Sequence, residues 1–386
     1  MKFNKWTMGL AAVGVVSLAS AARADETKMS QVQTALSNTT LSGYVDTAAV
    51  FNPGGVGGYY SFAKANGFNL NAIDIALDKP MDESPWASGY HVELMQGPDA
   101  TPASFAGPGS SSAIRQAYLA LRTPVGNSGI DWKFGVFDTI IGYESTTDGN
   151  NPNYTRSYGY TIEPTTQTGL LGTYKINDEV SVSAGIADTT YGFGYLGINS
   201  GAANPSLLGS VALTAPDSWG WAKGATASVG AVNSPNKFGG GATSWYAGVT
   251  VPTPMTALKV GASFDVLDKH NHTAVNAHGD SLWDAALYAS FQANDKLSFN
   301  VRGEYLNQSD LTGGAYVPYV PYTGPAAHAP AVEALTATLQ YQLWANVLSR
   351  AEIRWDHAEH GSPFATATGP GTSNAYTFAL NLIYQF

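Results

Sequence analysis

The chain ends on a strict alternation. In 374–386 (NAYTFALNLIYQF), Tyr376, Phe378, Leu380, Leu382, Tyr384 and Phe386 share one face. Thr377, Asn381 and Gln385 fall on the other, with Ala379 and Ile383 between them. A period of two sends successive side chains to opposite sides of a strand, so this segment predicts one apolar and one largely polar face. The same period recurs upstream. Trp132, Phe134 and Val136 oppose Asp131 and Lys133, and Leu297, Phe299, Val301 and Tyr305 oppose Ser298, Asn300, Arg302 and Glu304. Ala351, Ile353 and Trp355 oppose Arg350, Glu352, Arg354 and Asp356.

Read this way, strands are predicted over 40–51, 68–78, 89–96, 114–123, 130–137, 168–176, 180–187 and 207–214. They continue over 224–232, 243–251, 258–266, 282–292, 297–307, 332–341, 348–356 and 374–386. Asn177-Asp178-Glu179 and Asn294-Asp295-Lys296 are hairpin signals between two such runs. Short connections there, at Pro252 and at Gln342, alternate with long ones after Asn52, Gly97, Asp138, Asp188, Leu267, Gln308 and His357. About sixteen strands, an even number, with loops that are long on one side only, predict an all-β fold: a transmembrane, antiparallel, up-and-down β-barrel with both termini periplasmic. A charge on the lipid face near the bilayer midplane costs ~2–4 kcal/mol, so the charged positions of these strands must face the interior. That interior is too wide for side chains to fill, so it holds water unless loops plug it.

Composition fits this picture. The chain has 386 residues, with 42 Gly, 21 Tyr and no Cys. Mean hydropathy is only −0.09, because a barrel hides its apolar positions in alternation. No segment after the first residues is apolar for the length a membrane helix requires. At the start, Lys2 and Lys5 precede a short apolar run, 8–18, and Ala22-Arg23-Ala24 offers small residues to a signal peptidase. The expected organisation is therefore a signal peptide over 1–24, a short periplasmic lead over 25–39 and an outer-membrane barrel over 40–386. Without Lys2, Lys5 and Arg23, 16 Lys and Arg face 29 Asp and Glu, a mature net charge of −13. That balance disfavours nucleic acid and leans toward cations as passengers.

The best candidate for a constriction is the long connection 138–166, which carries Glu144, Asp148, Arg156 and Glu163. Folded inward, its acids would stand opposite Arg302, Arg350 and Arg354, with Lys133, Glu304 and Glu352 also lining the lumen. Two outcomes follow: a transverse field that weights passage by charge, or neutral pairing of those arginines with Glu304, Glu352 and Asp356. An ordinary solvated surface loop is the alternative for the whole segment. His270, His272 and His278 share one connection, and Asp356, His357 and His360 lie near a strand end. Such spacing suits a metal or an Asp–His hydrolase dyad, yet loop histidines without a scaffold are more often solvated. Gly239-Gly240-Gly241 lacks the Lys-Ser/Thr of a phosphate loop, and no Gly-x-Ser-x-Gly elbow occurs. No enzyme activity, cofactor or metal is expected.

One region carries a family resemblance. Phe137-Asp138-Thr139, Gly142-Tyr143-Glu144, Asn151-Pro152-Asn153-Tyr154 with Arg156-Ser157, and Glu163-Pro164 before Thr168-Gly169 resemble the signature region of the OmpL-like β-barrel porins. Residues 71–80, 91–100 and Gln116-Ala117-Tyr118 are similar to that family's early strands. The terminal Phe386 after alternating aromatics resembles the last strand of bacterial outer-membrane barrels. The chain departs from the family after Ala187, where Asp188-Thr189-Thr190 stands in place of a Gly-Trp pair. The resemblance implies an outer-membrane pore and names no substrate; the wide polar interior adds the expectation of small hydrophilic solutes or ions as passengers, with outer-membrane lipid and lipopolysaccharide around the barrel and, by analogy with barrels of this size, a homo-oligomer. Its rivals are a loop-plugged structural or adhesive barrel and an outer-membrane hydrolase.

Overall fold

In the computed structural model the residues described are 38–100, 112–188, 205–235, 241–270, 281–308, 331–364 and 371–386. They form sixteen strands: β1 (Thr40–Phe51), β2 (Gly67–Lys79), β3 (Ser88–Gln96), β4 (Ser112–Thr123), β5 (Ile130–Asp138), β6 (Thr166–Lys175), β7 (Val180–Ala187) and β8 (Ser206–Thr214). The second half is β9 (Thr226–Ser234), β10 (Ala242–Pro252), β11 (Leu258–Lys269), β12 (Ser281–Gln292), β13 (Leu297–Gln308), β14 (Val332–Trp344), β15 (Val347–Ala358) and β16 (Asn374–Gln385). Each strand pairs with its neighbours in sequence and β16 closes on β1, so the sheet is a closed antiparallel barrel. The seam runs from Tyr44 opposite Gln385 to Phe51 opposite Phe378. Two reciprocal backbone hydrogen bonds of 3.0 Å between Gly43 and Phe386 complete it. Closure removes the unpaired edge that lipid cannot satisfy.

The predicted strands are all present, with ends that move by a few residues. β9 starts at Thr226 instead of 224 because Gly224, at φ 73°, donates its N–H to Ala215 O at 3.0 Å and closes a turn. Phe134, Trp245, Phe264, Leu287 and Leu380 are exposed on the outside, whereas Asp46, Arg302, Thr336, Arg354 and Asp356 are wholly buried within. A bulge between Glu93 and Leu94 breaks the β3–β4 register, and opposite it the consecutive Arg115 and Gln116 are both buried.

An even strand number returns the chain to its starting rim, the one with the short turns. Of the long connections at the other rim, 139–165 turns into the lumen. It carries a 3-10 turn at Asp148–Asn150 and one helical turn, α1 (Tyr158–Ile162), whose N-terminus is capped by Ser157 accepting from Tyr160 N at 2.9 Å. The descending limb packs Ile140 and Ile141 with Leu171, Leu208, Val232 and Tyr246 of the barrel wall. Residues 153–167 are buried without interruption. This connection therefore lies inside the barrel, against its wall.

Candidate functional site

Alternation places Arg302 and Glu304 on the inner face of β13, and Arg350, Glu352, Arg354 and Asp356 on that of β15. In the closed sheet these six groups form a ladder of alternating charge. Arg302 Nε donates to Glu304 Oε1 at 2.7 Å, and Arg354 Nη2 to Asp356 Oδ1 at 2.8 Å. Arg354 Nη1 also lies 3.4 Å from Glu304 Oε1, linking the two strands. Charges this deep need partners: Arg302, Glu304, Arg354 and Asp356 form ion pairs, and Arg350 and Glu352 are held by hydrogen bonds.

Further hydrogen bonds of the ladder go to the backbone of the inward connection. The two Glu352 oxygens accept from Tyr154 N (2.6 Å) and Thr155 N (2.9 Å), and Glu304 accepts from Tyr158 N at 2.6 Å. In the other sense, Arg302 donates to Thr155 O, Arg354 to Arg156 O and Arg350 to Asn151 O, each at 2.7 Å. Asn153 Nδ2 donates to Thr338 Oγ1 at 2.7 Å, and Tyr158 OH to Asp356 at 2.9 Å. A loop inside a protein would strand its N–H and C=O groups, and here the charged wall supplies their partners.

Among the residues singled out from sequence, Glu144 is brought onto Arg302 at 2.9 Å and also accepts from Ser157 N at 2.8 Å. Asp148 pairs within the connection, with Arg156 at 2.7 Å. Burial opposes the charge on Arg156, but Asp148 and its other acidic neighbours outweigh it and hold its pKa above the ordinary value. Glu144 and Asp148 therefore touch guanidinium groups; Arg302 and Arg354 are paired with carboxylates, whereas Arg350 donates to Gln340 and to the carbonyls of Asp148 and Asn151. Glu163 stands apart, beside Asp265 of β11 and Asp284 of β12. Lys133 stands apart as well, on β5 over the Tyr118 ring at 4.7 Å.

Two groupings went unread in the sequence. The connection 52–66, taken only as Gly-rich, also turns inward. Tyr60 lies under the Arg354 guanidinium at 3.9 Å, Phe62 under that of Arg156 at 5.0 Å, and Ser61 N donates to Thr161 Oγ1 at 2.9 Å. Lys64 pairs with Asp99, whose carboxyl burial pushes up to about 7 against the pull of Lys64. On β2 to β5 a second polar patch joins Asp78, His91, Glu93, Arg115 and Asp138. His91 reaches Asp78 at 3.0 Å and Glu93 at 3.3 Å, and Arg115 holds Asp138 through two bonds. The in-phase spacing of His91 and Glu93 was a usable signal, whereas the bulge that turns Arg115 inward leaves none.

Of the histidines named from sequence, His270, His357 and His360 lie among the described residues. His272 and His278 lie outside the described residues. His270 Nε2 faces Thr243 Oγ1 at 2.8 Å, and His357 Nδ1 faces Asn374 Oδ1 at 3.0 Å. Asp356 and His357, adjacent on β15, point to opposite sides of the sheet, as period two requires. Among the described residues no group of three or more His, Cys, Asp or Glu side chains could hold a metal ion.

The sequence profile of the β-barrel porin-2, OmpL-like family matches residues 38–386. The chain belongs to that family. No curated protein matches this OmpL-like barrel in sequence. Among solved structures it resembles an anion-selective porin from Comamonas acidovorans, with a TM-score of 0.60 and 10% identity over 90% of this chain and 99% of that one. It also resembles the outer membrane channel DcaP of Acinetobacter baumannii (TM-score 0.58, 12% identity, 90% and 97% covered). A third is the trimer form of the outer membrane protein OmpT of Vibrio cholerae (0.54, 13%, 90% and 99%). At these identities the likeness establishes the fold that the OmpL-like chain shares with them: an outer-membrane barrel of the porin kind.

Proposed function

We propose that this OmpL-like barrel is a passive, water-filled channel for small hydrophilic solutes, its aperture set by the connection 139–165. The observation that carries this reading is the clamp itself. The wall of β13 and β15 holds the loop backbone inside the lumen through Glu304, Glu352, Arg302, Arg350 and Arg354. Passage works by size exclusion and by the field at the aperture, with no chemistry done on the solute. The mature charge of −13 favours cations. Export through cleavage after Ala24, both termini in the periplasm, contact with lipid and lipopolysaccharide, and a homo-oligomeric assembly complete the proposal.

The test is single-channel conductance of the refolded mature chain in a planar bilayer under a salt gradient. Steady open steps with a cation-side reversal potential are expected. Glu144 is buried against Arg302, so Glu144→Gln should move that potential little; a large shift would mean that ions pass between the loop and the charged wall. One observation favours a second reading, a barrel plugged for a structural or adhesive role: residues 153–167 are buried on every side. A correctly inserted but silent protein would select it.

A further inference from the structure

At one point the clamp lacks a counter-charge. Glu163, the C-cap of α1, enters a dry recess where Asp265 of β11 and Asp284 of β12 already point inward. Asp265 and Asp284 are 2% and 0% exposed, and Glu163 is 5% exposed. Glu163 and Asp265 are within hydrogen-bonding reach of each other, although neither carboxylate carries a donor when ionised. Glu163 Oε1, Asp265 Oδ1 and both oxygens of Asp284 are buried with no hydrogen bond of ordinary geometry. The loop backbone comes close enough that a Cβ on Gly142 would sit 2.4 Å from Glu163 Oε2, and one on Gly159 would sit 2.5 Å from Asp265 Oδ2. The charged and titratable groups acting on Glu163 include Asp265, Asp284, Glu144 from its own loop and Tyr246 from β10. The cation that acts on Asp284, Arg302 of β13, is already engaged by Glu144 at 2.9 Å and Glu304 at 2.7 Å.

The other end of the loop makes the contrast. Asp148 also meets a wall carboxylate, Asp46, and Tyr44, Asp74 and Asp99 stand near. There, however, Arg156 lies 2.7 Å away and Arg350 donates to the Asp148 carbonyl at 3.1 Å. Two carboxylates cannot share a dry recess as anions, so something positive must sit between Glu163 and its partners.

We infer that this recess is a proton-binding site, and that a proton shared between Glu163 and Asp265 latches the α1 end of the loop to the wall. Burial, and then Asp265, push the Glu163 carboxyl well above its ordinary value. A raised acid pKa stabilises the docked form while the proton is bound. That contribution is complete below the ordinary carboxylate range and is lost as pH rises through the raised value. The loop should therefore loosen on the alkaline side, with the Arg–Glu ladder still holding residues 151–158.

Hydrogen exchange reads the latch whether or not the barrel conducts. The reporting amides are Thr161 N and Glu163 N, bonded to Ser157 O and Gly159 O at 3.2 Å. Expressed as protection factors, so that the intrinsic pH dependence of exchange cancels, they should fall by up to about tenfold per pH unit above the Glu163 value, between about pH 5 and about pH 9 with chelator present. Glu163→Gln keeps the shape of the protonated acid and should give a flat profile. Asp265→Asn supplies a donor that does not titrate and should shrink the fall. A flat wild-type profile, a fall of unchanged size in either variant, or protection restored at alkaline pH by calcium alone would overturn the proposal.

Discussion

The two halves of the lumen wall are built on opposite principles. From β6 to β10 the only charged residue within a strand is Lys175, at the end of β6. The inward positions there are uncharged: many are small or hydroxylic, among them Ser181, Ser183, Ser210, Ser228, Gly230, Ser244 and Thr250, and Leu171, Leu208, Val232 and Tyr246 form the apolar patch that meets the loop. From β13 to β15 the inward positions carry the ladder of Arg302, Glu304, Arg350, Glu352, Arg354 and Asp356. The charged half can satisfy a buried peptide backbone, and the connection 139–165 lies against it. The neutral half offers fewer polar partners, and the loop meets it through Ile140 and Ile141. Burying a loop needs directional partners; flanking a water path needs only a polar surface without bulk.

Breaking the charged half should have the largest effect. Arg302 contacts Glu144, Glu304 and the Thr155 carbonyl at 2.7–2.9 Å and has no exposed surface. Arg302→Met removes the cation, leaving the buried Glu144 without a counter-charge and Glu304 with Arg354 alone, and breaking such a buried pair costs ~3–5 kcal/mol. We expect a lower urea midpoint and lost hydrogen-exchange protection over 153–158. Ser210→Ala on the neutral wall, removing a hydroxyl with no partner, should change the midpoint by ~0.5 kcal/mol or less. Equal losses in the two variants would erase the distinction between the halves.

A smaller effect comes from crowding the neutral half. A Cβ at Gly230 would lie 2.8 Å from Ile141 Cγ2 and 3.0 Å from Gly209 O. Gly230→Val should cost ~1–3 kcal/mol through overpacking and push the loop from that wall while the ladder keeps its hold. Raised exchange at 140–142 with unchanged protection at 153–158 is the expected pattern.

Much of this was legible in the chain, and the limits have physical causes. Sixteen strands could be read because each repeats the period of two, and Arg350, Glu352, Arg354 and Asp356 could be assigned inward because lipid penalises the alternative. The inward turn of 139–165 could be suspected from its length and acids, but its docking could not be read. Glu352 and Arg302 bind N–H and C=O groups, which every residue carries alike, so no side-chain pattern announces the contact. Helix α1 spans five residues, too few for a helical period to show. Tyr60 and Phe62 sit among glycines whose composition suggests only a surface turn.

The least disruptive test concerns selectivity and leaves stability almost untouched. A fixed charge governs ion passage when it faces water and is not already neutralised. Glu144 fails on both counts, being 9% exposed and 2.9 Å from Arg302. Ser228 on β9 is only half-buried, on the inward phase, with no charged residue on the neighbouring strands β8 and β10. Ser228→Lys should therefore move the reversal potential toward anions by more than Glu144→Gln does, with little change in the urea midpoint. If Glu144→Gln produced the larger shift, the ions would be passing along the charged half, between the loop and the ladder. The clamp would then be loose enough to admit water, and the neutral half would be the closed one.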